Sequence, residues 1–396
     1  MRILFVAMPD SVHTARWIRQ LAGQGWDVHL FPVYDAAPHR DLTDVTLHTF
    51  STARTAGMNP SMRLAGPYPL RKGGYRAQLW AQKLFPERMS GPARLASVVE
   101  RLKPDIVNSL EMQHGAYLTL AAKQIIGDAF PPWMMNCWGN DIYLFGRLAE
   151  HAPKIKTALA ACDYFTADCN RDIALARAFG FAGETFPALP GAGGFDIELA
   201  KELRPPGLTS ARRTIALKGY QNWYGRALTG LRAVELCADV LKDYSVTLYF
   251  PNDDVKLAAE LMSQRTGIEV EIFPHASYED SLRMHSRARV SLGVSISDGL
   301  PLSAMEAALM GSFPVQTDTS CVGEWLRDGE GTLLVPSDDA EAIARALRRA
   351  LTDDDLVDRA AELNFRYISE HLSLEAVRPQ VLAMYEKIDA ASERRK

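Results

Sequence analysis

The chain has 396 residues, of which 47% are hydrophobic and 23% charged, and its formal net charge is −4. That length exceeds one ordinary domain and suits two. The composition is that of a soluble globular protein, and the mild negative charge excludes nucleic-acid binding by bulk electrostatics. The cysteines, Cys137, Cys162, Cys169, Cys237 and Cys321, contain no CxxC pair and are odd in number, so reduced thiols and a cytosolic setting are expected. The opening "MRILFVAMPD" reads as a first strand rather than a signal peptide, and no stretch approaches the ~20 apolar residues of a membrane span.

In chain order, "RILFVAM" predicts a buried strand and "SVHTARWIRQLAGQG" a helix closed by Gly25. "DVHLFPV" and "DVTLHTF" predict strands. "ARLASVVERL" is helical, "PDIVNSL" a strand, "GAYLTLAAKQIIG" a helix, and "PPWMMNC" and "DYFTADC" strands, before the helix "RDIALARAFGF". The segment "LPGAGGFDIELAKELRPPGLT" is rich in Gly and Pro and reads as a linker. The alternation then restarts: "RTIALKG" and "GRALTGLRAVELCADVL", "VTLYF" and "DVKLAAELMSQRTG", "VEIFP" and "YEDSLRMHSRA". "RVSLGVS" leads to the helix after "SDGLP", "FPVQT" to "GEWLRDG" and "GTLLVP" to "AEAIARALRRAL"; from about Leu356 the chain reads as amphipathic helix. Strand–helix alternation on both sides of one linker predicts an α/β chain of two Rossmann-like, doubly wound domains whose strand ends face each other across a cleft. The expected boundaries are 1–200, 201–370 and a final helix, 371–396, crossing back. Ligands of open parallel sheets bind at the carboxyl ends of strands.

The stretch "SISDGLPLSAMEAALMGSFPV" carries the most chemistry. Gly299 permits unusual backbone conformations, and Pro301 suits a first helical turn. The amides of Leu302 and Ser303 would then point out of a helix start, a ready phosphate site. Glu306, about one turn in, is within reach of a ribose attached to that phosphate, and Asp298 on the strand side is within reach of hydroxyls beyond it. The plain alternative is a Gly-Pro turn followed by a packing helix.

That pattern, an acid eight positions before Glu306, then "AALMGSFPVQTDTS" and "GEWLRDGEGTLLVPSDDAEAIARAL", resembles the donor-binding half of glycosyltransferase family 4, retaining enzymes of the GT-B fold. "MRILFVAM", "RWIRQLAGQGWDVHLF", "PDIVNSL" and "LPGAGGFD" match its N-terminal half and linker more loosely. The resemblance spans nearly the whole chain and is most specific from Val290 to Asp338. It implies that Glu306 holds the nucleotide ribose and that amides near Leu302 and Ser303 hold the β-phosphate, within a loop also comprising Gly299, Leu300 and Pro301. It implies further that Asp298, where the family usually has Glu, holds sugar hydroxyls. The family's Arg and Lys resemble Lys218 and Arg226 in order, though not in type or spacing; these would neutralise a diphosphate or else be surface cations. The family often has a His after its fifth N-terminal strand, and here Trp138 takes that place.

Trp138, Gly139, Asn140 and Asp141 are candidates for lining the cleft, with Asp141 either taking an acceptor proton or capping the next helix. His13 and His114, the latter with Glu111 nearby, stand at strand-to-helix loops and would serve as base or acceptor binder, or be structural. His275 is placed to touch the base; His29, His48 and His285 read as structural. No His/Asp/Glu cluster has convincing metal-ligand spacing. "PNDD" at Pro251–Asp254 reads as a helix start capped by Asp253 or Asp254 rather than a metal motif. Between Ser51 and Lys103, ten basic residues stand against two acidic ones, interleaved with Trp80, Leu84, Phe85 and Met89. Such a segment suits an anionic membrane surface and a lipid-linked acceptor, a solvated face, or a loop over the acceptor.

The expected function is therefore transfer of a sugar from a nucleoside-diphosphate donor, UDP by base rate, to a glycan or lipid-linked acceptor in cell-surface polysaccharide synthesis. No cofactor and no metal are expected, and the setting is cytoplasmic, at most peripheral to a membrane. A silent nucleotide or glycan binder is the runner-up. A nicotinamide-dependent oxidoreductase is weakened because "FVAMPDSVHTARW" lacks GxGxxG.

Overall fold

The computed structural model describes residues 1–48, 58–65, 83–84, 87, 89–274 and 277–393. The chain divides into two compact units, Met1–Gly194 with Val377–Lys396, and Phe195–Ala376. The passage between them follows Gly193 and Gly194, at φ 72° and 95°, a left-handed conformation that side chains resist.

In the first unit the described strands form a parallel sheet in the order β4-β3-β2-β1-β5-β6-β7-β8. They are β1 Arg2–Ala7, β2 Asp27–Pro32, β3 Thr46–His48, β4 Arg63–Ala65, β5 Ile106–Leu110, β6 Trp133–Cys137, β7 Tyr164–Ala167 and β8 Glu184–Thr185. After Arg2, β1 runs apolar without a break because both faces of the sheet are covered. Ile3, Phe5 and Ala7 point into one core with Trp17, Leu30 and Met134, while Leu4 and Val6 point into another with Val99, Val107 and Trp133. The final helix, Leu374–Glu393, adds Val377, Val381, Met384, Tyr385 and Ile388 to the first of these cores. The Tyr385 hydroxyl accepts from Trp17 Nε1 at 3.0 Å and donates to Asn108 Oδ1 at 2.6 Å.

The second unit holds a parallel sheet ordered β11-β10-β9-β12-β13-β14 among the described residues. Its strands are β9 Thr214–Lys218, β10 Ser245–Tyr249, β11 Glu269–Phe273, β12 Val290–Gly293, β13 Phe313–Thr317 and β14 Leu333–Val335. The order reverses between β1 and β5 in one sheet and between β9 and β12 in the other. At such a switch point the loops leave toward opposite faces and open a crevice at the strand ends.

Several local expectations are corrected. The first helix stops at Arg19 rather than Gly25. The Gly/Pro-rich segment contains a helix, Ile197–Leu203, started by Asp196, whose Oδ1 accepts from Leu199 N at 3.0 Å; a good cap outweighs poor flanking propensity. "GEWLRDG" forms only a short turn at Val322–Glu324. The C-terminal helical region breaks after His371 and restarts at Leu374, where Ser373 Oγ accepts from Ala376 N at 3.1 Å. The helix Asp253–Thr266 starts after Asn252, whose Oδ1 accepts from Gln221 N at 3.0 Å rather than from the helix, with Asp253 as the first helical residue, paired to Lys256 at 2.9 Å. Among the described residues, no helix is long and apolar enough to cross a membrane. Of the basic segment, Arg54, Arg71, Lys72, Arg76, Arg88, Trp80 and Phe85 lie outside the described residues, as does His275.

Candidate active site

In the second unit, β9 ends on Lys218 and β12 runs into the loop Val294–Pro301. Neighbouring loops staple this loop on both sides. Arg226 N donates to Val294 O at 2.9 Å and Ile296 N to Tyr224 O at 2.8 Å, while Thr319 Oγ1 donates to Ser295 O at 2.5 Å and Cys321 N to Gly299 O at 2.8 Å. Held so, the loop brings Asp298 Oδ2 to 3.7 Å from Lys218 Nζ. The other Asp298 oxygen accepts from Gly299 N at 2.9 Å. Gly299 is not in the left-handed region, so its service is not an unusual φ. Burial works against the charge of Lys218, but Asp298 and the surrounding tyrosines outweigh it and raise its pKa above the ordinary value. The lysine stays cationic beside the loop.

The helix Leu302–Leu309 begins here. Pro301 occupies the position just before it, at φ −72° and ψ 101°, and its carbonyl takes Ala304 N at 2.9 Å and Met305 N at 3.2 Å. The amides of Leu302 and Ser303 have no partner inside a helix by position, and they carry the positive end of its dipole. Glu306 is buried one turn further in. The buried Tyr249 is near enough for its phenol to feel the charges of both Lys218 and Glu306, with the Ser303 and Ser291 hydroxyls close by. Arg226 takes a different part: its Nη1 donates to Asn222 O at 3.0 Å and Gly225 O at 2.8 Å, bracing its own loop.

In the first unit the ends of β1, β5 and β6 gather the other candidates. Glu111 follows β5 at φ 75° and caps the turn Met112–Ala116. Its carboxylate accepts from Gln113 N at 2.7 Å, His114 N at 2.8 Å and Gly115 N at 3.3 Å, and meets His114 Nδ1 at 3.1 Å. The pKa of His114 is raised, chiefly by this bond to Glu111. Gly115 is required by space: a Cβ there would stand 2.6 Å from Leu110 O and 2.8 Å from Val6 O.

Asp141 is buried and accepts from Met112 N at 3.1 Å and Trp138 N at 2.9 Å, which ties the loop after β5 to the loop after β6. Burial and the nearby Glu111 push its pKa well up. It thus fastens two loops, and its carboxylate faces amides rather than open space. Trp138 lies 5.4 Å from the His13 ring, centroid to centroid, and packs on Gly191, where a Cβ would come within 2.7 Å of the indole. Gly139 N donates to Asp168 Oδ2 at 3.4 Å, and Asn140 O takes the amides of Leu144 and Phe145 at 3.2 Å each.

With this geometry in view, the likeness to known proteins is informative. A family model described as glycosyl transferases group 1 matches residues 250–365, and one described as glycosyl transferase 4-like matches residues 2–61. Sucrose-phosphate synthase from Thermosynechococcus elongatus superposes at TM-score 0.70 with 16% identity, over 99% of this chain and 100% of that one. HepE from Anabaena, in complex with UDP-glucose, reaches 0.68 with 13% identity over 98% and 100%. A UDP-forming trehalose-phosphate synthase from Burkholderia xenovorans, in complex with glucose-6-phosphate, reaches 0.65 with 14% identity over 98% and 100%. No curated protein matches the chain in sequence.

The fold is GT-B. Together with the two family models it indicates a glycosyltransferase. Within this GT-B chain, the second unit gathers Lys218, Asp298, Gly299, Leu300, Pro301, Leu302, Ser303 and Glu306 at one switch point, with Arg226 bracing the side. The first unit gathers His13, Glu111, His114, Trp138, Gly139, Asn140 and Asp141 at the other. Two residues beside these candidates were not themselves candidates in the sequence. Tyr249 looked like an ordinary strand residue in "VTLYF". Glu111 looked like a neighbour of His114 because Glu is not a usual cap and nothing in "SLEMQHG" signals a positive φ.

Proposed function

We propose that the chain is a retaining glycosyltransferase of family 4 type, which moves a sugar from a nucleoside-diphosphate donor to a hydroxyl of a glycan or lipid-linked acceptor in cell-surface polysaccharide synthesis. The observation that carries the reading is the meeting of Lys218 and Asp298 beside the opening of the helix Leu302–Leu309. The Leu302 and Ser303 amides bind the β-phosphate, Lys218 neutralises the departing diphosphate, Glu306 accepts from the ribose and Asp298 from sugar hydroxyls. Lysine and amides together supply the positive charge, so the reaction needs no metal and no cofactor. UDP is the nucleotide of choice, supported by the UDP-glucose bound to HepE. The acceptor hydroxyl attacks from the face that the diphosphate leaves, and its proton passes to the leaving phosphate oxygen, so the anomeric configuration is kept.

The acceptor rests on the first unit. The basic residues between Ser51 and Lys103 give peripheral contact with an anionic membrane in the cytoplasm. A panel of nucleotide sugars, assayed for slow hydrolysis and transfer with wild type and Glu306→Ala, tests the reading; the product anomer is read by NMR. We expect turnover of one nucleotide sugar with retention, lost in the variant. Inversion would overturn the retaining mechanism, and unchanged turnover in Glu306→Ala the ribose assignment. Sedimentation with anionic vesicles tests the membrane contact.

A further inference from the structure

We propose that Glu111 is the positioning residue of the acceptor side, holding the His114 imidazole so that Nε2 accepts a hydrogen bond from an acceptor hydroxyl. The proposal rests on the acceptor being bound by the first unit, as above.

Glu111 is an unusual cap. Among the described helices, Ser11, Ser90, Asp196, Ser277, Asp339 and Asp353 accept a backbone amide through the side chain from the starting position, each with negative φ. Glu111 stands at φ 75° and ψ 149°, a conformation that costs a non-glycine residue ~1–3 kcal/mol. Capping alone does not call for it, since a short Ser or Asp caps without strain. The longer side chain reaches something those residues cannot: the same carboxylate that gathers three amides also meets His114 Nδ1, at 3.1 and 3.2 Å from its two oxygens. An ionised carboxylate only accepts, so in the neutral ring Nδ1 carries the proton and Nε2 keeps its lone pair. The turn cannot drift, because Gly115 is pressed against the ends of β1 and β5 and Asp141 pins Met112. The His114 side chain nevertheless stays 57% exposed. A fixed ring on a pinned turn with an open outer edge is arranged to meet a ligand.

The surroundings say what kind. The Tyr34 ring stands edge-on to His114 at 6.2 Å, with its hydroxyl on Asp10 Oδ1 at 2.7 Å. Asp141 lies behind Glu111, and Tyr117 feels both. Among the described residues, the acids these contacts bring toward the dyad are Asp10, through Tyr34, and Asp141, beside Glu111. This suits the neutral hydroxyl face of a sugar and disfavours a phosphate at this point.

The test is imidazole 15N NMR on the full chain, beside steady-state kinetics. Wild type should show His114 protonated on Nδ1. In Glu111→Gln its pKa should fall, because the charge that raises it is gone. Acceptor binding requires neutral imidazole, so it strengthens as pH rises through the His114 pKa. In Glu111→Gln that rise should move to lower pH, with a higher acceptor KM and an unchanged donor KM, and in His114→Gln the dependence should vanish. A His114 protonated on Nε2 in wild type, or an unchanged titration in Glu111→Gln, would overturn the proposal. Should Glu111→Gln fail to fold, the wild-type tautomer and the His114→Gln profile still decide. Failure of the transferase reading looks different: no nucleotide sugar turns over, whatever the tautomer.

Discussion

Lys218 Nζ lies 3.7 Å from Asp298 Oδ2, across the point where the strand order of the second sheet reverses. Neither residue is well placed alone: a lysine four-fifths covered is costly unless an acid answers it, and the acid needs a stapled loop to arrive there. If Lys218 steadies the departing diphosphate, Lys218→Met should lower kcat by ~10²–10³-fold, with a smaller loss in Lys218→Arg. Asp298→Asn should lower the pKa of Lys218, because Asp298 is the first of the groups that raise it. The alkaline limb of the rate profile should then move to lower pH. An unmoved limb would separate the lysine from the chemistry.

The helix start can be tested without touching a charge. Leu302 is the first helical residue, where proline is tolerated, and Pro301 before it, at ψ 101°, is already outside the helical region that a following proline disfavours. Leu302→Pro removes one amide N–H together with a half-buried side chain that packs on the core under the helix. UDP affinity, read by calorimetry, should fall roughly 10-fold, the worth of one hydrogen bond to a charged group. The melting temperature should fall by a few degrees with the lost Leu302 packing, and Leu302→Ala, which keeps the amide, should share that fall but not the loss of affinity. Unchanged affinity would place the phosphate elsewhere.

Acid should weaken the fold through two histidines. The His48 pKa is lowered to about 4, first by burial and then by His29, whose Nδ1 lies 2.9 Å from His48 Nε2. That of His285 is lowered to about 3, first by burial and then by Lys218. Both folded values lie below the ~6.5 of an unfolded histidine, so the fold favours the neutral rings. Their contribution is present above pH ~6.5 and is lost as pH falls toward the folded values. Urea midpoints from pH 7 to 4.5 should decline, and His285→Phe should flatten the decline. A flat wild-type profile would sink this expectation.

The tie of the last helix is a matter of stability. Tyr385→Phe removes the hydroxyl between Trp17 and Asn108 and leaves both buried polar groups short of a partner. The expected cost is ~1–3 kcal/mol in denaturant unfolding, with no change in donor affinity. A loss of donor binding at equal stability would contradict it.

The residues proposed to hold the phosphate and the sugars beside it were legible in the sequence because they are local. Asp298, Pro301, Ser303 and Glu306 sit on one loop and the helix that follows it, where spacing sets geometry. Lys218 comes from a strand more than seventy residues away, so its meeting with Asp298 needed the sheet order as well. Asp141 shows the opposite: from sequence it reads equally as proton acceptor or cap, and the three-dimensional fold puts its carboxylate on the amides of Met112 and Trp138. The Gly/Pro-rich stretch misled because composition marks where a chain turns, whereas one Asp cap decides where a helix begins.

The sequence by itself determined the alternation of parallel strands and helices, two α/β halves and one phosphate-ready helix start, because strand and helix periodicity and helix-end chemistry act over a few residues. Only the tertiary structure decided that the last helix buries Tyr385 against Trp17, that Glu111 bends into a left-handed backbone to hold His114, and that Lys218 answers Asp298. Each depends on which strands lie side by side, and that order is set by the packing of both sheet faces rather than by any short stretch of chain.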